Sequence, residues 1–147
     1  MEKKIFIVDV DGTLANCQHR QVHVRTKPKN WAAFNAKMHL DTPHDDIIWL
    51  AKLFYDLGHM IIICSGRGDE NRQVTMDWLD AHGVKFHGLY MRKAKDSRSD
   101  DIVKFELLER IRADVGEPFM AFDDRNQVVD MWRANGVRCC QVAPGDF

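Results

Sequence analysis

Ile5-Phe6-Ile7-Val8-Asp9-Val10-Asp11-Gly12-Thr13 is the stretch on which the reading of this chain turns. Its first four residues are apolar and mostly β-branched, a run too short for a helix and suited to a central parallel strand covered on both faces. Polar residues that follow such a strand emerge at the carboxyl edge of the sheet, where open α/β sheets bind their ligands. Residues two apart on an extended chain point the same way, so Asp9 and Asp11 face one ligand, and Gly12 permits the turn after them. Two carboxylates placed in this manner suit a division of labour in which one attacks and the other moves a proton.

Working outward, further apolar runs at 60–64, 88–91, 119–122 and 137–142 alternate with helical periodicity. One helix carries Ile47, Leu50, Ala51, Phe54 and Leu57 and stops at Gly58. A second follows Gly68 and includes Val74, Met76, Trp78 and Leu79. A third starts near Ser99 as N-cap with Val103, Leu107 and Ile111 on its apolar stripe, and a fourth spans 127–135 and ends at Gly136. Strands alternating with helices predict an α/β fold, a central parallel sheet of about five strands with helices on both faces. Trp49, Trp78 and Trp132 fall in helical stretches and are expected in the core.

The chain has 147 residues, 45% of them hydrophobic and 29% charged, which fits one soluble domain spanning 1–147. Its apolar runs fall far short of the ~20 residues of a membrane span, and Met1-Glu2-Lys3-Lys4 leads into a strand, so a cytoplasmic protein without membrane attachment is expected. Cys17, Cys64, Cys139 and Cys140 lack C-x-x-C spacing and read as reduced, buried thiols. Cys17, His19 and His23 have no second ligand pair at finger spacing and make a poor zinc site.

Three more clusters sit where the predicted fold would gather them. Ser65-Gly66-Arg67 follows the second strand, offering a hydroxyl, backbone amides and a guanidinium to phosphate oxygens. Asp100 and Lys104 lie four apart at a helix start and share a face, so Asp100 is expected to hold the lysine. Asp123-Asp124 follows the fourth strand, and adjacent carboxylates there repel each other unless a cation lies between them and Asp9.

These residues resemble the haloacid dehalogenase superfamily, whose motifs occur here in order. The resemblance implies that Asp9 is the nucleophile and Asp11 the general acid and base. It also implies that Thr13, Ser65, Gly66, Arg67 and Asp100 line the substrate phosphate and that Lys104 neutralises charge at the nucleophile. Mg²⁺ would be held by Asp9, the backbone carbonyl of Asp11 and one of Asp123 and Asp124. The tail from Phe122 through Trp132 to Gly145-Asp146-Phe147 is similar to the phosphatase domain of phage polynucleotide kinase-phosphatases, which places the phosphate-contacting arginine after the first motif at Arg20. That similarity implies a 3′-phosphatase acting on DNA or RNA ends; a nucleotidase or other small-molecule phosphatase is the alternative, and a non-catalytic module the remote one. No G-x-x-x-x-G-K-[ST] occurs in the chain, so a kinase or ligase partner would be a separate chain.

Residues 14–41 are too few for a full cap and are expected to form a flap over an open site, in which Trp31-Ala32-Ala33-Phe34 reads as a small helix packing over the core, with stacking of Trp31 on a base as the alternative. The net charge of −1 gives no global support to polyanion binding. Locally, Arg20, Arg25, Lys27 and Lys29 after the first strand, and Arg92, Lys93, Lys95 and Arg98 after the third, are expected near the active edge.

Overall fold

The computed structural model describes residues 2–147. Strand β1 (Ile5–Val8) leads into a ribbon of β2 (Ala15–Asn16) and β3 (Thr42–Pro43), which pair antiparallel. The remaining strands are β4 (Met60–Gly68), β5 (Gly88–Arg92), β6 (Met120–Asp123) and β7 (Cys139–Gln141). With β1 they form a five-stranded sheet, every pair parallel, in the order β5-β4-β1-β6-β7. The order turns around β1, which has β4 on one side and β6 on the other. Crossovers therefore leave in opposite directions there and open a crevice at its carboxyl end.

Alternation of side chains through the sheet builds two cores. Phe6, Val8, Ile61 and Ile63 face one side and meet Ile48 and Ala51 of α3 (Asp45–Asp56) and Trp78 and Leu79 of α4 (Arg72–Ala81). Ile7, Ile62 and Cys64 face the other and meet Val103, Leu107 and Ile111 of α5 (Asp100–Asp114) and Val128, Val129 and Trp132 of α6 (Asn126–Ala134). This is why the central strands read as continuous apolar runs: both faces are covered.

The flap consists of α1 (Gln18–Arg25), α2 (Trp31–Asn35) and a short tighter turn at Met38–Leu40. It has its own small cluster of Cys17, Val24 and Phe34, and the β2–β3 ribbon closes its base. Among the described residues no large cap covers the crevice.

Three expectations are corrected. Trp49 is 62% exposed rather than core. Ile47, Ile48, Ala51, Phe54 and Tyr55 form the stripe of α3 that meets the sheet, whereas Trp49, Leu53 and Leu57, spaced by four, make an outward stripe. Cys140 is exposed, since β7 is an edge strand, while the other three thiols are buried as expected. The strand expected to end at Cys64 runs on to Gly68, with a register shift between Ser65 and Gly68. Such a bulge bends the strand and re-aims its side chains, and it carries the Ser65-Gly66-Arg67 cluster.

The two tryptophans at opposite extremes of burial give a direct test of the core. Trp132→Ala, at a site with no exposure, is expected to cost about 3–5 kcal/mol in urea unfolding, and Trp49→Ala no more than about 0.5 kcal/mol.

Candidate active site

Parallel strands β1, β4 and β6 deliver Asp9, Ser65 and Asp123 to the same edge of the sheet. Lys104, one turn into α5 and completely buried, sends its ammonium between two of these acids, 2.8 Å from Asp9 Oδ1 and 2.8 Å from Asp123 Oδ2. Thr13 donates its hydroxyl to the other oxygen of Asp9 at 3.1 Å. Asp123 Oδ2 also accepts the indole N–H of Trp132 at 3.2 Å, and Asp123 Oδ1 accepts the backbone N–H of Asp124 at 2.9 Å. Asp9, Asp123 and Asp124 are the one group of acidic, histidine or cysteine side chains among the described residues close enough to share a metal ion.

Asp11 lies apart from this trio, inside a ring of guanidiniums. Arg67 donates Nη2 to Asp11 Oδ1 at 2.7 Å and Nε to both carboxylate oxygens at 3.1 and 3.2 Å. Arg20 donates Nη2 to the same Oδ1 at 2.7 Å. Both arginines then turn to a second carboxylate, Asp41, at the end of the flap. Arg20 Nε is 2.7 Å from Asp41 Oδ1, Arg20 Nη2 bonds Asp41 Oδ2, and Arg67 Nη2 is 3.3 Å from the same oxygen. The remaining guanidinium nitrogens are also satisfied, Arg20 by the Phe34 carbonyl at 3.0 Å and Arg67 by Thr75 Oγ1 at 2.9 Å.

Two glycines are fixed by close approach. A Cβ on Gly12 would fall 2.0 Å from Asp124 Oδ2, and Gly12 has φ +84°, so both its space and its backbone exclude a larger residue. A Cβ on Gly66 would lie 2.0 Å from Asp100 Oδ1. Asp100 thus packs on the bulge of β4.

Burial and neighbours set the charges. Asp9 is pushed well above the ordinary carboxylate range by burial and by the negative charge of Asp123, and Lys104 offsets part of this. Burial and Asp123 likewise raise Asp124 to about 7. For Lys104, burial disfavours the charged ammonium, but Asp123 and Asp9 outweigh it and hold the group protonated. Asp11 goes the other way: burial would raise it, yet the Arg67 and Arg20 guanidiniums bring it to about 2.

Every expected site residue except Asp100 takes a direct place in this arrangement or its rim. Asp100 does not hold Lys104; it pairs with Arg92 at 3.1 Å, while the lysine turns inward to Asp9 and Asp123. A buried ammonium between two buried carboxylates gains more than one facing a part-exposed neighbour on its own helix. The second basic run also contributes less than expected. Arg92 donates to the Gly66, Asp96 and Arg98 carbonyls, and Arg98 is tied to Asp96 and Glu106, which leaves Lys93 and Lys95 exposed. Asp41, Thr75 and the indole of Trp132 have no local sequence signal, because each earns its place through contacts remote in sequence.

Solved structures of low identity share the fold. The class C acid phosphatase from Bacillus anthracis superposes with a TM-score of 0.67 at 18% identity, over 99% of this chain and 68% of that one. By its family model the protein is a phosphatase of the haloacid dehalogenase type, a phosphoric monoester hydrolase. Residues 3–147 match the family model described as the polynucleotide kinase PNKP phosphatase domain. A chain of a Pnkp1/Rnl/Hen1 complex is 33% identical with a TM-score of 0.82, over 98% of this chain and 47% of its own length. A protein of Autographa californica nuclear polyhedrosis virus, described as a bifunctional polynucleotide kinase/RNA ligase, is 27% identical over 129 residues, 86% of this chain and 17% of that protein. The chain therefore belongs to the PNKP phosphatase-domain family, and it spans less than half the length of these larger relatives.

The raised carboxylates make the protein pH-sensitive when chelator removes any metal. Asp124 titrates near 7 when folded against 3.8 ordinarily, so the native state holds a proton that the unfolded state has released, and stability falls as pH rises through this window. Asp124→Asn removes that dependence. In urea melts with chelator, the variant is expected to exceed the wild type at pH 8, with the gap closing by pH 4.

Proposed function

We propose that the chain is one phosphatase domain, with residues 14–41 as its flap, which removes 3′-phosphates from DNA or RNA ends through a phosphorylated Asp9. The observation that carries the reading is the placement of Lys104 between Asp9 and Asp123, 2.8 Å from each, beside an Asp11 held by two arginines. A nucleophilic carboxylate needs its charge managed before it approaches a phosphate dianion, and this lysine does so without blocking both its oxygens.

The donor set fits Mg²⁺. Three carboxylates against one lysine make a buried pocket of hard oxygen ligands in which full ionisation, opposed by the raised Asp9 and Asp124, would need a further cation. Asp123 is already engaged by Lys104, Trp132 and the Asp124 amide, so Asp9 and Asp124 are the members of the trio that would hold the ion, with the Asp11 carbonyl. When bound, Mg²⁺ supplies charge neutralisation between nucleophile and phosphate.

The remaining chemistry belongs to the side chains. Arg20 and Arg67, with the Ser65 hydroxyl and the Gly66 amide, take the phosphate oxygens. As the phosphate draws the guanidiniums from Asp11, the influence that keeps its pKa near 2 weakens, and Asp11 takes up from solvent the proton it gives to the leaving 3′-oxygen. Asp9 forms a bond to phosphorus as the ester P–O bond breaks. Asp11, now a carboxylate, takes a proton from water, whose oxygen attacks phosphorus and releases inorganic phosphate and free Asp9. Asp100 serves indirectly, by packing on Gly66.

Family membership supports a nucleic acid end as substrate, and so does the small flap, which leaves room for a polymer. Exposed Lys27 and Lys29 on the flap and Lys93 and Lys95 after β5 lie at the carboxyl edge, where they can follow a phosphate backbone. The relatives' larger architectures support a kinase or ligase as the partner of this domain.

Phosphate release from matched oligonucleotides with a 3′- or 5′-phosphate, and from a 3′-mononucleotide, tests this reading. Turnover is expected to need Mg²⁺, to favour the 3′-phosphorylated oligonucleotide, and to fall by more than about a thousandfold in Asp9→Asn. Better turnover of the mononucleotide would shift the assignment to a nucleotidase, and an active Asp9→Asn would remove the proposed nucleophile.

A further inference from the structure

We propose that Asp41 is the positioning residue of the phosphate-binding pair, a fixed anchor that keeps Arg20 and Arg67 aimed at the site when Asp11 releases them to substrate. Naming phosphate as the ligand rests on the function proposed above; the anchoring itself rests on geometry.

Arg20 and Arg67 are each only 1% exposed at the side chain. Guanidiniums so deeply buried need a permanent counter-charge, because an unpaired buried charge is strongly destabilising. Two carboxylates are within reach, and they differ in kind. The Asp11 side chain is 21% exposed and opens onto the crevice, whereas that of Asp41 has no exposure. Asp41 therefore cannot touch a substrate, and it remains in place when the crevice fills.

The hydrogen bonds divide along the same line. Arg20 Nε binds Asp41 alone, at 2.7 Å, and Arg20 Nη1 binds the Phe34 carbonyl, so only Nη2 is shared with Asp11. Arg67 Nε binds Asp11 alone; its hold outside the crevice is Thr75 on Nη1 and Asp41 on Nη2. If a phosphate displaces Asp11, Arg20 keeps a bidentate partner and Arg67 keeps two contacts. Neither has to find its position again, so the ordering cost is met in the free protein.

Asp41 is itself fastened from both sides. The Trp78 indole N–H of α4 donates to its backbone carbonyl at 2.9 Å, and His19 Nε2 lies 2.7 Å from its Oδ1. Phe34 of the flap stacks beneath the Arg20 guanidinium, 4.4 Å from ring centroid to Cζ. The flap and the arginine pair thus form one unit, with Asp41 as the joint.

Two experiments test this. In the first, the arginine Nε–H resonances of the wild-type protein are followed during titration with inorganic phosphate. The Arg67 signal is expected to shift, because its partner Asp11 is displaced, and the Arg20 signal to stay in place and remain slow to exchange with solvent. Movement of both would overturn the anchor, and this readout needs no turnover and no variant. In the second, Asp41→Asn keeps the size and removes the charge. It is expected to weaken phosphate binding by at least about tenfold and, if the protein turns over the 3′-phosphorylated oligonucleotide, to lower kcat/KM to a similar degree. In an Arg20→Ala background the same substitution should have a smaller effect than in the wild type, since only the weaker hold of Asp41 on Arg67 then remains to be lost. Unchanged phosphate affinity in folded Asp41→Asn would refute the proposal, whereas absence of turnover in the wild type would refute the proposed function and leave the phosphate titrations to decide this point.

Discussion

The ammonium of Lys104, buried between Asp9 and Asp123, is the contact on which the rest of the site depends. It joins α5 to both β1 and β6, three elements far apart in sequence. Removing it would leave two carboxylates facing each other in a pocket that already disfavours their charge, with Asp124 beside them. A buried pair of this kind is weak evidence for stability, since desolvation offsets much of its attraction. Its value is positional: it fixes which oxygen of Asp9 is engaged and which remains for chemistry.

Around that contact the backbone is crowded. Gly12 allows Asp124 to approach, Gly66 allows Asp100, and a Cβ on Gly145 would fall 1.8 Å from the Asp124 carbonyl. The same carbonyl accepts Gln141 Nε2 at 2.8 Å, and the Val142 amide donates to the Asp123 carbonyl at 3.0 Å. Residues 141–145 therefore brace the acidic loop from outside, while Trp132 holds Asp123 from within. The family match runs through this tail to residue 147, and the tail is part of what positions the acids.

The sequence was most informative where local pattern and global role coincide. The strand at 5–8 was legible because a strand covered on both faces is apolar throughout, and the edge strand at 88–91 because Leu89 and Met91 alternate into the core. Asp9, Asp11, Asp123 and Asp124 were legible because each follows such a run. Trp49 misled because helix periodicity marks an apolar face but not which apolar residue turns outward, and the neighbouring Ile48 fills the core position instead. Asp100 misled because spacing on one helix says nothing of carboxylates that other strands bring closer. Asp41 was illegible altogether: an acid before Thr42-Pro43 carries no signal until the flap folds back and places it against two arginines.

The site therefore contains two electrostatic compartments with different tasks. Asp11 and Asp41 balance Arg20 and Arg67, giving a ring without net charge that stays folded around an empty crevice. Asp9, Asp123 and Asp124 would together exceed Lys104 by two charges if all were ionised, and burial together with their mutual repulsion is what raises Asp9 and Asp124. Under the function proposed above, a phosphate dianion entering between them would meet arginines whose pairing with Asp11 can be exchanged and, in Asp9, a nucleophile whose charge is offset by Lys104. The acid released by that exchange is the one the reaction needs protonated. In that proposed mechanism substrate binding and acid activation would be a single event, because the same guanidiniums serve both.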